Sequence, residues 1–248
     1  MEGFLDLHQH IVFGVDDGPG TLEEAARMLE AARAGGVTRI VGTSHALPSM
    51  ERFPLERYYR HLRALNVLSM ERGLGVRVYD GCEVFYSDAA VRKLCEGELP
   101  TLARSRFVLV EFDPTSRFEA IAEAVRRLGN AGFIPILAHC ERYAALVKNP
   151  SATLALRRKL RMRIQLNASA IIQRRPRAVR RFCDLLLDEG VADYIATDAH
   201  NLTTRPPHLR EAYDQLAKRY GRERAWLLTG GNQGEVLGEG RTAVGHAR

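Results

Sequence analysis

Long apolar runs are missing from this 248-residue chain. No stretch of about 18 apolar residues occurs, so no membrane-spanning helix is expected. No basic-then-apolar leader precedes the first strand-like run, Phe4-Leu5-Asp6-Leu7, and a cytoplasmic location is expected. Cysteine is scarce. Cys82, Cys95, Cys140 and Cys183 are scattered and form no C-x-x-C pair, which argues against a zinc knuckle or a disulfide frame. Neither a G-x-G-x-x-G fingerprint nor a P-loop is present, so an open nucleotide-binding sheet is disfavoured.

What is present is a globular balance, 46% hydrophobic and 27% charged, enough for one sizeable core. The net charge of +6 is local. Ten Arg or Lys and no acid lie between Arg157 and Arg181, which leaves the remainder acidic. Such a block can face nucleic acid or an anionic membrane, but no aromatic residue interleaves it. A solvated helix face is the plainer reading, and no stable nucleic-acid partner is expected.

Short β-type runs alternate with helical stretches. Thr21-Leu22-Glu23-Glu24 is a capping box that opens a helix to about Ala34, ended by Gly35-Gly36. Similar punctuation returns at Ala131-Gly132-Phe133 and Glu189-Gly190-Val191. Strands are expected at 4–8, 39–43, 76–83, 107–111, 134–138, 163–167 and 194–197. About seven βα units with parallel strands most naturally close into a barrel in a single domain, 1–248. The Gly-rich, polar tail after about Gly230 is expected to fray.

Chemistry gathers at the ends of these strands. His8-Gln9-His10 follows the first, and alternate residues of a strand point the same way, so both imidazoles can reach one ion. Further runs end on His45, Glu83, Glu111, His139, Asp198 and His200, and Asp17 lies in the loop after the first. This N/O set suits Mn²⁺, Fe²⁺ or Zn²⁺ better than Mg²⁺. Nine ligands are too many for one ion and suffice for two or three. Three divalent ions against four carboxylates leave about +2, which suits an anionic substrate. Arg142 and Arg205 follow His139 and His200 and are candidate phosphate clamps. Asp16-Asp17-Gly18-Pro19 also reads as a plain turn before a helix. No role is assigned to His61, His208 or His246, and Tyr58-Tyr59 and Tyr86 read as packing or rim aromatics.

Together these residues resemble the polymerase-and-histidinol-phosphatase (PHP) superfamily, in particular its branch of bacterial tyrosine-protein phosphatases of capsular and exopolysaccharide operons. The resemblance runs over nearly the whole chain. It rests on Asp6-Leu7-His8-Gln9-His10, Asp16-Asp17-Gly18-Pro19, Thr43-Ser44-His45, Gly81-Cys82-Glu83, Glu111-Phe112, Ala138-His139-Cys140-Glu141-Arg142-Tyr143, and Thr197-Asp198-Ala199-His200-Asn201 leading to Arg205-Pro206-Pro207. It implies an α/β fold, a distorted TIM-like (β/α)7 barrel of the PHP type. It implies three metal ions, with Mn expected and Fe or Zn as alternatives. His8, His10 and Asp198 would hold one ion, bridged by Glu83 to a second completed by Glu111 and His139. Asp17, His45 and His200 would hold the third. Arg142 and Arg205 would grip the phosphate, and His45 joins them in the catalytic set. The implied substrate is phosphotyrosine on a membrane-associated tyrosine kinase. The alternatives are a phosphoesterase for histidinol phosphate or another small or nucleic-acid phosphoester, and a non-catalytic binding module. Two departures stand out: the middle residue of His-x-His is Gln9, expected to point away from the metals, and Ala46-Leu47-Pro48-Ser49-Met50 lacks the basic residues of some relatives. A cysteinyl-phosphate route is excluded, because an Arg must stand six residues after the Cys. Asp88, Thr101, Leu146 and Glu189 occupy those places.

Overall fold

The computed structural model describes residues 3–238. Seven parallel strands stand in chain order: β1 (Phe4–Gln9), β2 (Val37–Ala46), β3 (Arg77–Phe85), β4 (Phe107–Glu111), β5 (Ile134–Leu137), β6 (Arg163–Asn167) and β7 (Tyr194–Ala196). β4 and β6 fall on the expected bounds, and β2 extends further at both ends. The helices are α1 (Leu22–Ala34), α2 (Leu55–Glu71), α3 (Asp88–Cys95), α4 (Phe118–Asn130), α5 (Ala144–Lys148), α6 (Pro150–Lys159), α7 (Ala168–Ile172), α8 (Arg177–Asp188), α9 (Leu209–Tyr220) and α10 (Arg222–Trp226). The expected capping box opens α1: the Thr21 hydroxyl accepts from the Glu24 N–H, and the Glu24 carboxylate accepts from the Thr21 N–H, both at 3.2 Å.

Hydrophobic alternation along the strands builds two cores. Leu5, Leu7, Val41, Leu109, Ile136 and Ala196 pack inside the barrel. Residues such as Ile40, Val78, Val108 and Ile164 face outward and pack with α1, α2, α4 and α8. The inner core is finished by Leu102 and Val236, which come from outside the sheet. The opposite end, at the strands' carboxyl termini, is left to polar side chains.

β1 and β7 close the barrel by an unusual seam. At the carboxyl end the backbone pairs directly: Asp198 N–H to His8 O at 2.8 Å and His10 N–H to Ala199 O at 2.9 Å. Below that, side chains replace the ladder. The Asp6 carboxylate accepts from the Thr197 N–H at 3.0 Å and from its hydroxyl. The Gln233 amide accepts from Leu7 N–H at 3.1 Å and donates to Ile195 O at 2.9 Å and Leu228 O at 3.0 Å. Burial pushes the Asp6 carboxyl up to about 6, against the opposing pull of Thr197.

This seam corrects the expectation of a frayed tail after Gly230. The chain continues in helical turns, Leu227–Gly231 and Asn232–Leu237, and Gln233 and Val236 are buried. Glu235 accepts from Arg163 at 2.8 and 2.9 Å and from the Tyr194 hydroxyl. A polar, Gly-rich composition concealed three side chains that complete the barrel. Residues 239–248, His246 among them, lie outside the described residues.

Gln233→Leu keeps the volume but leaves Leu7 N–H and Ile195 O unpaired in the interior. The expected cost is about 2–6 kcal/mol, at about 1–3 kcal/mol for each of the two buried orphan groups. Urea denaturation followed by circular dichroism measures it. An unchanged midpoint would mean that the seam does not depend on this amide.

Candidate metal centre

The nine candidate ligands occupy the carboxyl mouth of the barrel. β1 carries His8 near its end and His10 follows it, β2 carries His45, β3 carries Glu83 and β4 ends on Glu111. His139 follows β5, and Asp198 and His200 follow β7. Asp17 lies in the loop between β1 and α1. That loop is held close by Gly18, where a Cβ would lie 2.3 Å from the His10 carbonyl oxygen. His139 and Asp198 adopt left-handed backbone conformations, with φ of 31° and 54°. Such strain in non-glycine residues persists only where the surroundings enforce it, and it is common at functional sites.

Three groups of ligand atoms form. In the first, His8 Nε2 lies 3.3 Å from His10 Nε2, 3.3 Å from Glu83 Oε2 and 3.4 Å from Asp198 Oδ1. His10 Nε2 lies 3.3 Å from Glu83 Oε2 and 3.5 Å from Asp198 Oδ1. A tetrahedron's edge is about 1.63 times its centre-to-vertex distance, so these edges correspond to about 2.0–2.1 Å, the bond length of imidazole or carboxylate to Zn²⁺. The second group gathers around the Glu83 carboxylate. His139 Nε2 lies 2.8 Å from Oε1 and 3.8 Å from Glu111 Oε2, and His45 Nδ1 lies 3.2 Å from Glu83 Oε2 and 3.1 Å from Glu111 Oε1. In the third, Asp17 Oδ1 lies 3.2 Å from His200 Nε2 and 3.5 Å from His45 Nε2, with His10 alongside. His45 thus stands between the second and third groups. Gln9 is buried and shares no hydrogen bond with the ligands.

Hydrogen-bond partners fix which ring nitrogens carry protons. Gln165 Oε1 accepts the His139 N–H at 2.7 Å, so His8 Nδ1, 3.2 Å from the same oxygen, must donate to it. His10 Nδ1 donates to Asp16 Oδ2 at 2.7 Å, and His200 Nδ1 donates to Asp198 O at 2.9 Å. In the neutral rings all three Nε2 atoms therefore present lone pairs, and they present them to carboxylate oxygens. Glu83 Oε2, His45 Nδ1 and His200 Nε2 are buried without a hydrogen bond. Lone pairs facing lone pairs in a buried site require a cation between them, and this is the test that the donor set passes.

Without a metal, protons take that place. Burial disfavours a charged His10, but Asp16 and Glu83 outweigh it and push the imidazole up to about 10. Burial likewise opposes ionisation of Glu83 and Asp198, yet the neighbouring imidazoles hold both carboxyls well below the usual range. The adjacent His200 imidazole does the same for Asp17. Burial holds the His200 imidazole below its ordinary value despite Asp17.

Supporting residues appear that the strand-end pattern missed. Asp16, read from sequence as part of a turn, accepts from His10, from His45 N–H at 2.9 Å and from Gly18 N–H at 3.2 Å. Gln165 donates to Asn167 Oδ1 at 2.8 Å, and Asn167 donates to Asp198 Oδ2 at 3.0 Å. The Tyr143 hydroxyl lies 3.4 Å from His139 Nδ1. Gln165 and Asn167 close β6, the one strand end without a ligand, and that gap was the only signal for them. The two arginines also arrive here. Arg205 Nη2 donates to Asp198 Oδ1 at 2.6 Å, and Arg142 Nη1 to Asp198 Oδ2 at 3.3 Å.

Fold and site together define a class: a parallel β/α barrel built around a candidate metal centre at its carboxyl rim. Residues 4–238 match the family described as capsular polysaccharide synthesis, CpsB/CapC, and the chain belongs to that family. It is 32% identical over 238 residues to the tyrosine-protein phosphatase CpsB of Streptococcus agalactiae serotype V, covering 94% of this chain and 98% of that protein. The putative tyrosine-protein phosphatase CapC of Staphylococcus aureus is 31% identical over 92% of this chain and 89% of its own. Among solved structures, work on YwqE of Bacillus subtilis and CpsB of Streptococcus pneumoniae, described as unique metal-dependent tyrosine phosphatases, supplies a match. That match has a TM-score of 0.85 and 25% identity over 95% of this chain and 94% of that one.

Two outcomes follow from the ligand geometry. Glu83→Ala removes the carboxylate shared by the first and second groups, whereas Glu111 belongs to the second alone, so it should lower bound metal more than Glu111→Ala, measured by plasma mass spectrometry after matched loading. Equal losses would show that Glu83 does not bridge. Metal uptake must also expel the proton held on His10, whose value lies near 10. Apparent affinity should therefore rise as pH is raised through neutrality, with net proton release in calorimetry across buffers of different ionisation enthalpy. A pH-independent affinity would contradict that protonation.

Proposed function

We propose that this chain is a metal-dependent protein-tyrosine phosphatase acting in the cytoplasm on a membrane-associated tyrosine kinase that controls capsular or exopolysaccharide synthesis. The observation that carries the chemistry is the convergence of three ligand groups on one mouth, with two arginines bonded to the Asp198 carboxylate at its edge. The named relatives supply the phosphotyrosine specificity.

His8, His10, Glu83 and Asp198 would hold one ion, Glu83, Glu111 and His139 a second, and Asp17, His45 and His200 a third, with Mn²⁺ expected and Fe²⁺ or Zn²⁺ as alternatives. Ions bound there act as Lewis acids that draw charge from phosphoryl oxygens and make water nucleophilic near neutral pH. Asp16, Gln165 and Asn167 keep the imidazoles and Asp198 in register, so the ligands need no rearrangement to receive metal. Arg142 and Arg205 each retain N–H groups beyond those given to Asp198, and they take the phosphoryl oxygens from the solvent side. A leaving tyrosinate, with a pKa near 10, needs only modest protonation assistance.

The cysteines support the same assignment. Cys82, Cys140 and Cys183 are buried, and burial pushes all three thiols up, away from the thiolate that nucleophilic catalysis needs.

Turnover should be measured on a phosphotyrosyl peptide, histidinol phosphate and an oligonucleotide 3′-phosphate, with and without Mn²⁺. Preferred, metal-dependent hydrolysis of the peptide is expected, and no activity on it would refute the proposal. Arg142→Ala and Arg205→Ala should each lower kcat/KM about 10²–10³-fold, the scale of losing one charge-stabilising donor, while metal content holds. Loss of metal instead would make them structural partners of Asp198.

A further inference from the structure

Beside Asp198 lies a cavity of about 560 Å³ that is more basic than a grip on one phosphate requires. Arg142, Arg205 and a third arginine, Arg175, line it. Arg175 donates from Nη2 to Ser169 Oγ at 2.7 Å, while its Nε is buried without a hydrogen bond. The acids in the wall are Asp198, which already serves the other two arginines, and Glu141, whose carboxylate is buried and accepts from the Asn167 N–H at 3.3 Å. Arg175 has neither as a partner among the described residues.

The rim continues this charge. Within the basic block, Arg157 pairs with Asp193, Arg158 with Glu189 and Arg163 with Glu235. Arg174, Arg177, Arg180 and Arg181, which neighbour the lining residues Arg175, Pro176 and Val179 in sequence, are exposed and form no ion pair among the described residues, and Arg174 and Arg180 line an adjoining pocket with Asp184. Arg177 and Arg180 stand at the start of α8, which has no acid in its first turn and no side-chain cap. Positive charge there runs against the helix dipole, so local stability does not explain it.

We infer that this cavity and its rim form a second anion subsite, with Arg175 as a specificity-determining residue. The subsite receives a carboxylate or a second phosphoryl group carried by the same polypeptide as the scissile phosphotyrosine. The inference rests on the phosphatase reading. Because the cavity shares Asp198, Arg142 and Arg205 with the reaction site, and an extended chain advances about 3.3–3.6 Å per residue, the second anion is carried close in sequence to the phosphotyrosine.

The test compares kcat/KM on three phosphotyrosyl peptides: neutral flanks, Asp/Glu flanks on either side, and a second phosphotyrosine nearby, with free phosphotyrosine as reference. The metal-loaded enzyme should favour the acidic or doubly phosphorylated peptides at least tenfold over the neutral one, mostly through KM. Arg175→Gln should bring that ratio to within twofold, and Arg175→Lys, which keeps the charge, should retain a several-fold preference. A wild-type ratio within twofold overturns the subsite, as does a ratio that survives Arg175→Gln. Failure to hydrolyse even free phosphotyrosine overturns the phosphatase reading and the subsite with it. A combined Arg174, Arg177, Arg180 and Arg181 to Gln variant is assayed alongside. If it abolishes binding to phosphatidylglycerol vesicles but leaves the peptide ratio intact, the rim is a membrane surface and the inference fails.

Discussion

Closure of β1 onto β7 is the constraint on which the rest depends. The Asp198 N–H to His8 O bond joins residues at opposite ends of the chain, and with it the His8–His10 pair meets Asp198 and His200. Without that contact the first ligand group has three members rather than four, and the third loses the stacking of His10 on His200 at 3.7 Å between ring centres. Seven strands leave the seam short of ladder hydrogen bonds. Asp6, Thr197 and Gln233 supply what the backbone does not. The metal site and the barrel seam are thus one structural problem solved at two heights.

The two ends of the barrel divide the physics between them. At the amino-terminal end, burial of Leu5, Leu7, Leu109, Ile136 and Val236 supplies hydrophobic stabilisation. At the carboxyl end, nine candidate ligands and their supporting residues place charges and lone pairs against one another in a mostly buried mouth. That arrangement calls for positive charge between the ligand atoms, which protons on the imidazoles supply in the absence of metal. The positive φ at His139 and Asp198 belongs to the same balance. A core that is rigid below holds a mouth that is frustrated above.

Capping, periodicity and strand-end chemistry were open to reading because each is local. Thr21 and Glu24 lie within one turn, and the alternation in Phe4–Gln9 lies within one strand. Gln233, Gln165 and Asp16 were not legible in this way, since each acts on partners set by topology. A Gln in a Gly-rich tail and an Asp in an apparent turn carry no local mark of the bonds they make. The basic block likewise divides only in space: Arg157, Arg158 and Arg163 meet acids in the turn before β7 and in the final helical turns, while Arg174, Arg177, Arg180 and Arg181 meet none among the described residues.

The sequence by itself determined the seven βα units, the order of the strands and the kinds of atom waiting at their ends, because period, capping and residue type are properties of neighbours. Only the tertiary structure decided which ligand atoms lie together, that Glu83 stands between two groups, which ring nitrogens of His8, His10 and His200 carry protons, and that Arg175 lines the cavity beside Asp198. Those depend on how far a closed barrel brings distant residues, and distance across a fold is not encoded in any one stretch of chain.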